Sequence, residues 1–239
     1  MLSLAVCAAA ALPGWAQTLP AAQTLVVTLG FDGAVRPGAP TAVDVRTPPM
    51  PASGTAELVV ETPALAPQTG RATVSTVVTF QAVAGVVERR RVPVVIQDIR
   101  HPVRARLSLG GRVIARADVP VDPARVPGRL IVLVSDVRAG LGALRRVDDR
   151  AVGAYVAADA LPAHWQEYAS VDLLVLRDLD SARLGDAQRA ALLTWIRLGG
   201  RLLVIARPGV PLPAFLQPVL PAHLGPVRTL AAPADLAAG

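Results

Sequence analysis

Two hydrophobic rhythms divide this chain. Up to about residue 121, apolar and polar positions alternate with a period of two and are interrupted often by turn residues. Alternation of that kind marks half-buried strands. It predicts strands over 24–29, 41–47, 55–61, 71–82, 92–97, 104–109 and 112–117. Between them stand Arg36-Pro-Gly-Ala-Pro40, a proline-rich loop over 48–54, and Gly110-Gly111, whose glycines allow the positive φ angles of a tight hairpin turn. Pro93 lacks an N–H for a second ladder, so its strand is expected at a sheet edge or at a strand start. Short strands with regular turn signals argue for an immunoglobulin-like β-sandwich over 18–121. The Cys and Trp that mark antibody domains are absent from it, so only the architecture is expected. Such a domain binds or spaces more often than it catalyses.

The rhythm then changes. Residues 122–129 hold Pro123, Pro127 and Gly128, directly after Pro120, and read as a linker. Leu130-Ile-Val-Leu-Val134 is apolar at every position, as a strand covered on both faces of a parallel sheet must be. A short helix is expected over 139–146, a strand over 152–157, and a turn or helix over 161–168 holding His164 and Trp165. Residues 172–176 are a buried strand. Gln188, Ala191, Leu192, Trp195 and Ile196 recur at helical spacing over 186–198, Gly199-Gly200 ends that helix, and 202–206 is the next strand. This strand–helix–strand is the βαβ unit of a parallel sheet, with a right-handed crossover expected. The fold class expected is therefore all-β plus α/β: an N-terminal immunoglobulin-like β-sandwich, then a flavodoxin-like parallel-sheet α/β domain over 130–226, and a flexible tail over 227–239.

Residues 1–16 read as a secretory signal peptide. An eleven-residue apolar run ends at Pro13-Gly14, and Gly14-Trp15-Ala16 puts small residues where a signal peptidase reads. No basic residue precedes the run, which departs from the usual pattern. Leu4-Ala5-Val6-Cys7 also touches the lipoprotein pattern, although Val6 is bulky for it. No later stretch is apolar enough for a transmembrane helix, so the mature chain is expected to be exported, to the periplasm or the outer face of the membrane. Cys7 is the single cysteine, so the mature chain has no disulfide, zinc site or thiol nucleophile to offer.

Composition adds little to this. The net charge of +6 is the excess of 24 basic residues, all of them Arg, over 18 acidic ones. The one dense cluster, Glu88-Arg89-Arg90-Arg91, reads first as a solvated strand face, with an anion site as the sharper alternative. Without interleaved aromatics, nucleic-acid binding is not expected.

One segment resembles a known family. Leu184-Gly-Asp-Ala-Gln188-Arg-Ala-Ala191-Leu192-Leu-Thr-Trp195-Ile196, then Gly199-Gly200-Arg-Leu-Leu-Val, comes after an aspartate-containing strand. This is similar to the class I glutamine amidotransferase-like superfamily, in particular its extracytoplasmic branch in bacterial membrane-associated proteins of unknown function. Gly185 stands where that branch has a capping Ser. The resemblance implies an α/β fold preceded by a β-sandwich. The true amidotransferases carry a Cys on a sharp strand-to-helix turn, with His and Glu to activate it. Here the stretch after residue 206 is Arg-Pro-Gly-Val-Pro-Leu-Pro, and His101, His164 and His223 stand in no recognisable setting.

The expectation is thus a catalytically inactive relative: a non-enzymatic interaction or scaffold protein of the bacterial cell envelope, with a protein partner there, no cofactor and no resident metal. Peripheral membrane association through that partner is compatible with this. A second reading places a small ligand or a hard cation, or an unrecognised hydrolase activity, at Asp136, Asp178 and Asp180, at the carboxyl ends of the parallel strands. The plain alternative is that these aspartates cap the helices after their strands.

Overall fold

A computed structural model describes residues 23–66, 72–135, 138, 140–141, 148–205 and 212–221. The stretch expected as a signal peptide, with Cys7, then Asp136, most of the helix expected over 139–146, His223 and the expected tail over 227–239 lie outside the described residues.

The protein is all-β followed by α/β. Among the described residues, eight strands form the first half: β1 (Gln23–Thr24), β2 (Val26–Leu29), β3 (Pro40–Arg46), β4 (Gly54–Ala64), β5 (Ala72–Ala82), β6 (Arg89–Val95), β7 (Val103–Leu109) and β8 (Arg112–Val119). They make a five-stranded sheet in the order β1-β8-β7-β4-β5 and a three-stranded sheet in the order β2-β3-β6. All pairings are antiparallel except β1 with β8. Alternate residues of both sheets, among them Val43, Val45, Leu58, Val60, Val92 and Leu107, enclose one apolar core. The stretch expected as one strand over 24–29 is two: it breaks at the buried Leu25 and passes from one sheet to the other. Alternation cannot reveal that break, because both pieces bury the same core. Pro93 lies in β6, which pairs with β3 alone and is an edge. Gly110 and Gly111 both have positive φ, 56° and 80°, and join β7 to β8 as a tight hairpin.

The described residues of the second half form a four-stranded parallel sheet in the order β10-β9-β11-β12, from β9 (Arg129–Val134), β10 (Ala151–Val156), β11 (Leu173–Arg177) and β12 (Leu202–Ile205). The continuously apolar β9 is an interior strand, as its pattern requires. Helix α1 (Asp186–Arg197) buries Ala191, Leu192 and Trp195 against the sheet face that carries Leu130, Val132, Leu174 and Leu176. Gly185 at its N-cap has no side chain to offer, but Gln188 Oε1 accepts from the Gly185 N–H at 2.9 Å, half of a capping box. Gln188 Nε2 donates to the carbonyl of Leu161 at 2.7 Å, tying the helix start to a neighbouring turn.

The Gly-Gly pair has two separate causes. Gly199 takes a φ of 97° just past the helix end. Gly200 has no such angle, yet a Cβ there would sit 2.3 Å from the Trp195 ring. Trp195 in turn stacks on the buried Tyr168, with ring centroids 5.5 Å apart.

Candidate functional site

At the carboxyl end of β11, Asp178 takes a left-handed backbone, φ 54°, a conformation that favours glycine but that Asp tolerates. Asp180 caps a short 3-10 turn (Ser181–Arg183): its Oδ1 accepts from the Ala182 N–H at 3.0 Å. This is the capping role weighed against ligand binding. The Arg177 guanidinium reaches across to Ser135 Oγ at 3.0 Å and links the ends of β11 and β9. Among the described residues, no group of three His, Cys, Asp or Glu is placed to hold a metal ion.

The charged chemistry concentrates at the seam between the two halves. Among the described residues, Arg–carboxylate pairings hold that seam at three places. The turn after β2 carries Phe31 into the core of the parallel sheet, where its ring lies 6.2 Å from that of Tyr168. Asp32, on the same turn, accepts from Arg125 and Arg138 and meets the Tyr155 N–H at 3.4 Å. Arg125 also donates to the carbonyl of Gly153 at 2.9 Å. Gly153 and Tyr155 point along the free edge of β10, so this pair covers an edge that would otherwise offer unpaired backbone groups. The second pairing is Arg36 with Asp172, whose Oδ2 also accepts from the Leu130 N–H at 2.7 Å.

The third pairing involves the arginine cluster. Arg91 donates to Asp44 at 2.9 Å, to Glu167 at 2.7 Å and to the carbonyl of Ala160 at 3.0 Å. Glu167 is 2% exposed, and His164 Nδ1 lies 3.1 Å from its other oxygen. Burial raises the Asp44 pKa; Arg91 and Arg89 oppose the shift, and Glu167 adds to it. Burial likewise pushes the Tyr168 phenol up, and its O–H donates to the carbonyl of Pro162 at 3.2 Å. Only part of the Arg89-Arg90-Arg91 run matches the solvated face expected of it. Arg90 lies over the Phe80 ring at 4.3 Å, and Arg91 is enclosed in the seam. A sequence signal existed: period two puts Asp44 and Arg46 on the face of β3 turned away from the core, and Arg89 and Arg91 on the same face of β6. What was missing was the register that brings the strands together and the α/β half that covers them.

His101 belongs to a separate cluster. Asp98 accepts from the backbone and side chain of Arg100, and His101 Nδ1 is 2.9 Å from it. Those hydrogen bonds, the Arg100 side chain's foremost, hold the Asp98 carboxyl well below the usual carboxylate range.

A cleft of about 460 Å³ opens between the outer face of β2-β3-β6 and the end of β10. Its walls include Val26, Arg46, Val87, Arg89, Val156 and Ala160. No family model and no curated protein matches this sequence. Among solved structures, the chain is similar to a Paenibacillus cycloisomaltooligosaccharide glucanotransferase, at 17% identity and TM-score 0.24, over 64% of this chain and 20% of that one. It is also similar to a glycosyl hydrolase family 2 member from Bacteroides cellulosilyticus, at 12% identity and TM-score 0.27, over 77% of this chain and 26% of that one. A Bacteroides uniformis β-glucuronidase 2 gives 12% and 0.25, over 78% and 24%. The chain spans about a quarter or less of the length of these enzymes, and superpositions this loose assign it neither fold family nor activity.

Proposed function

We propose that this chain is an exported, non-enzymatic interaction module of the bacterial cell envelope, built from an immunoglobulin-like sandwich and a flavodoxin-like, amidotransferase-like α/β unit that lacks the family's nucleophile. One observation carries the reading. Asp32, Asp44, Glu167 and Asp172, four carboxylates at or beside the seam, are bound to arginines. Charges held this way fix the two halves as one body, and a fixed body presents surfaces to a partner. The export setting rests on the apolar run and small residues of 1–16. No helix among the described residues is long and apolar enough to cross a membrane.

The test is expression of the full chain in a bacterium, with recovery from the periplasm, N-terminal sequencing and assay of the product. The expected result is a mature chain beginning at Gln17 that releases no ammonia from glutamine and no phenol from aryl esters or glycosides. Turnover that disappears on substitution of Asp178 or His164 would replace this reading with an enzymatic one. The second reading, a cation or small ligand at Asp136, Asp178 and Asp180, is favoured by the left-handed backbone of Asp178 at a strand end. Calorimetry with Mg²⁺, Ca²⁺ and simple sugars decides it; no heat at millimolar ligand ends it.

A further inference from the structure

The outer face of β2-β3-β6 is ordered in rows. Register puts Val26 opposite Arg46 and Arg46 opposite Arg89; the next row is Thr28, Asp44 and Arg91. Like charges directly opposite on neighbouring strands repel, so Arg46 beside Arg89 needs a compensating anion. The neighbouring carboxylates pair with Arg89 and not with Arg46. Asp44 is committed to Arg91 at 2.9 Å and lies 3.6 Å from Arg89. Asp159 is 3.9 Å from Arg89 and is shared with Arg183. Arg46 has no carboxylate partner among the described residues. Both arginines face the 460 Å³ cleft, a volume within the usual range for small-molecule sites. Beside them Val26 and Val87 are 61% and 39% exposed, an apolar wall next to a cationic pair. Arg91, Val156 and Ala160 line the cleft as well, and so do two carboxylates, Asp44 and Asp32, each paired with arginines.

We propose that this cleft binds a small organic anion, with a phosphate or carboxylate between Arg46 and Arg89 and its apolar portion on Val26 and Val87. Guanidinium groups suit such oxyanions because their N–H pairs donate in a fixed planar fork. The inference goes beyond the proposed function and stands whether or not the chain acts as a scaffold.

Calorimetry on the full chain at low salt tests it, with inorganic phosphate and hexyl phosphate as probes. Hexyl phosphate is expected to bind about tenfold or more tighter than inorganic phosphate, a difference of about 1.4 kcal/mol. Both affinities should fall as salt rises. Arg46→Gln and Arg89→Gln should each weaken both probes by about tenfold, while Arg112→Gln on the other sheet should leave them unchanged. Val26→Ser should lower the preference for the hexyl chain and spare inorganic phosphate. Melting curves that match the parent show that these surface variants are folded. No heat from either probe up to about 10 mM overturns the proposal, since binding that weak lies beyond the millimolar range. Equal losses in the Arg112 control also overturn it. So does Arg46-dependent sedimentation with vesicles of anionic lipid when neither probe gives heat, because the arginines would then serve a membrane surface and not a cleft.

Discussion

The two cores of this protein are not built alike. The core between the antiparallel sheets is made from the first half's own strands, with Val121 and Val126 closing it from the connecting segment. The core of the parallel sheet takes Phe31 and Ala34 from the turn after β2, more than a hundred residues upstream of α1. One half is closed on itself; the other is completed by its neighbour. The difference comes from topology. Eight strands in two facing sheets can bury both inner faces against each other. A four-stranded sheet has two faces and two edges to cover, and among the described residues it has one α-helix to cover them. The Phe31–Asp32 turn supplies both a ring for the core and a carboxylate for the β10 edge.

If the second core is completed by Phe31, Phe31→Ala should destabilise the α/β half by about 3–5 kcal/mol. Chemical denaturation followed by the fluorescence of Trp165 and Trp195, both in that half, should show it unfolding first, with the sandwich transition little changed by circular dichroism. A single shifted transition common to both probes would show instead that the two cores unfold as one. The ion pairs offer a second way to break the contrast. Arg91→Met leaves Glu167 buried without its guanidinium partner and beside the Asp44 carboxylate, and should cost about 3 kcal/mol. Amide hydrogen exchange should rise first around Trp165–Ser170. Exchange rising equally through β7 and β8 would contradict a loss confined to the seam.

Smaller effects sharpen the comparison within each half. Gly200→Ala drives a methyl into the Trp195 ring and should cost about 1–3 kcal/mol. Gly199→Ala, where space is open but φ is positive, should cost less, about 1 kcal/mol. A reversed order in thermal unfolding would reject the packing account of Gly200. The smallest expected effect is in pH dependence, and the two regions should have opposite signs. Asp98 in the sandwich has a folded pKa below its unfolded value. Its contribution to stability is present above the unfolded value and is lost as pH falls through the folded one. Asp44 at the seam has a raised folded pKa. Its contribution is present below the unfolded value and is lost as pH rises through the folded one. Carboxyl NMR titration should find Asp44 above and Asp98 below the ordinary range.

Much of this fold is legible in the chain, and the illegible part is of one kind. Alternation located β3 to β8 within a few residues, Pro93 marked an edge, and the unbroken Leu130–Val134 run marked an interior strand. The Gln188, Ala191, Leu192 and Trp195 spacing located α1. The seam was not legible. Arg36 finds Asp172 136 residues away, and Arg91 finds Glu167 76 residues away. No local pattern couples such positions. The triple arginine looked like a solvated face because nothing nearby in sequence announces what covers it. The same limit applies to Asp172 and Gln188, which the structure uses for docking and capping.

By itself, then, the sequence determined local geometry: period two for the sandwich strands, continuous apolarity for the interior strand, helical spacing for α1, and glycine where the backbone turns or a ring approaches. These features arise from side-chain sterics and from burial of one face or two, which act over a few residues. Only the tertiary structure decided which arginine meets which carboxylate, which core Phe31 enters, and that Arg46 and Arg89 face each other across a cleft. Those outcomes depend on strand register and on the docking of two halves, where distant charges are brought out of water together and must be paired.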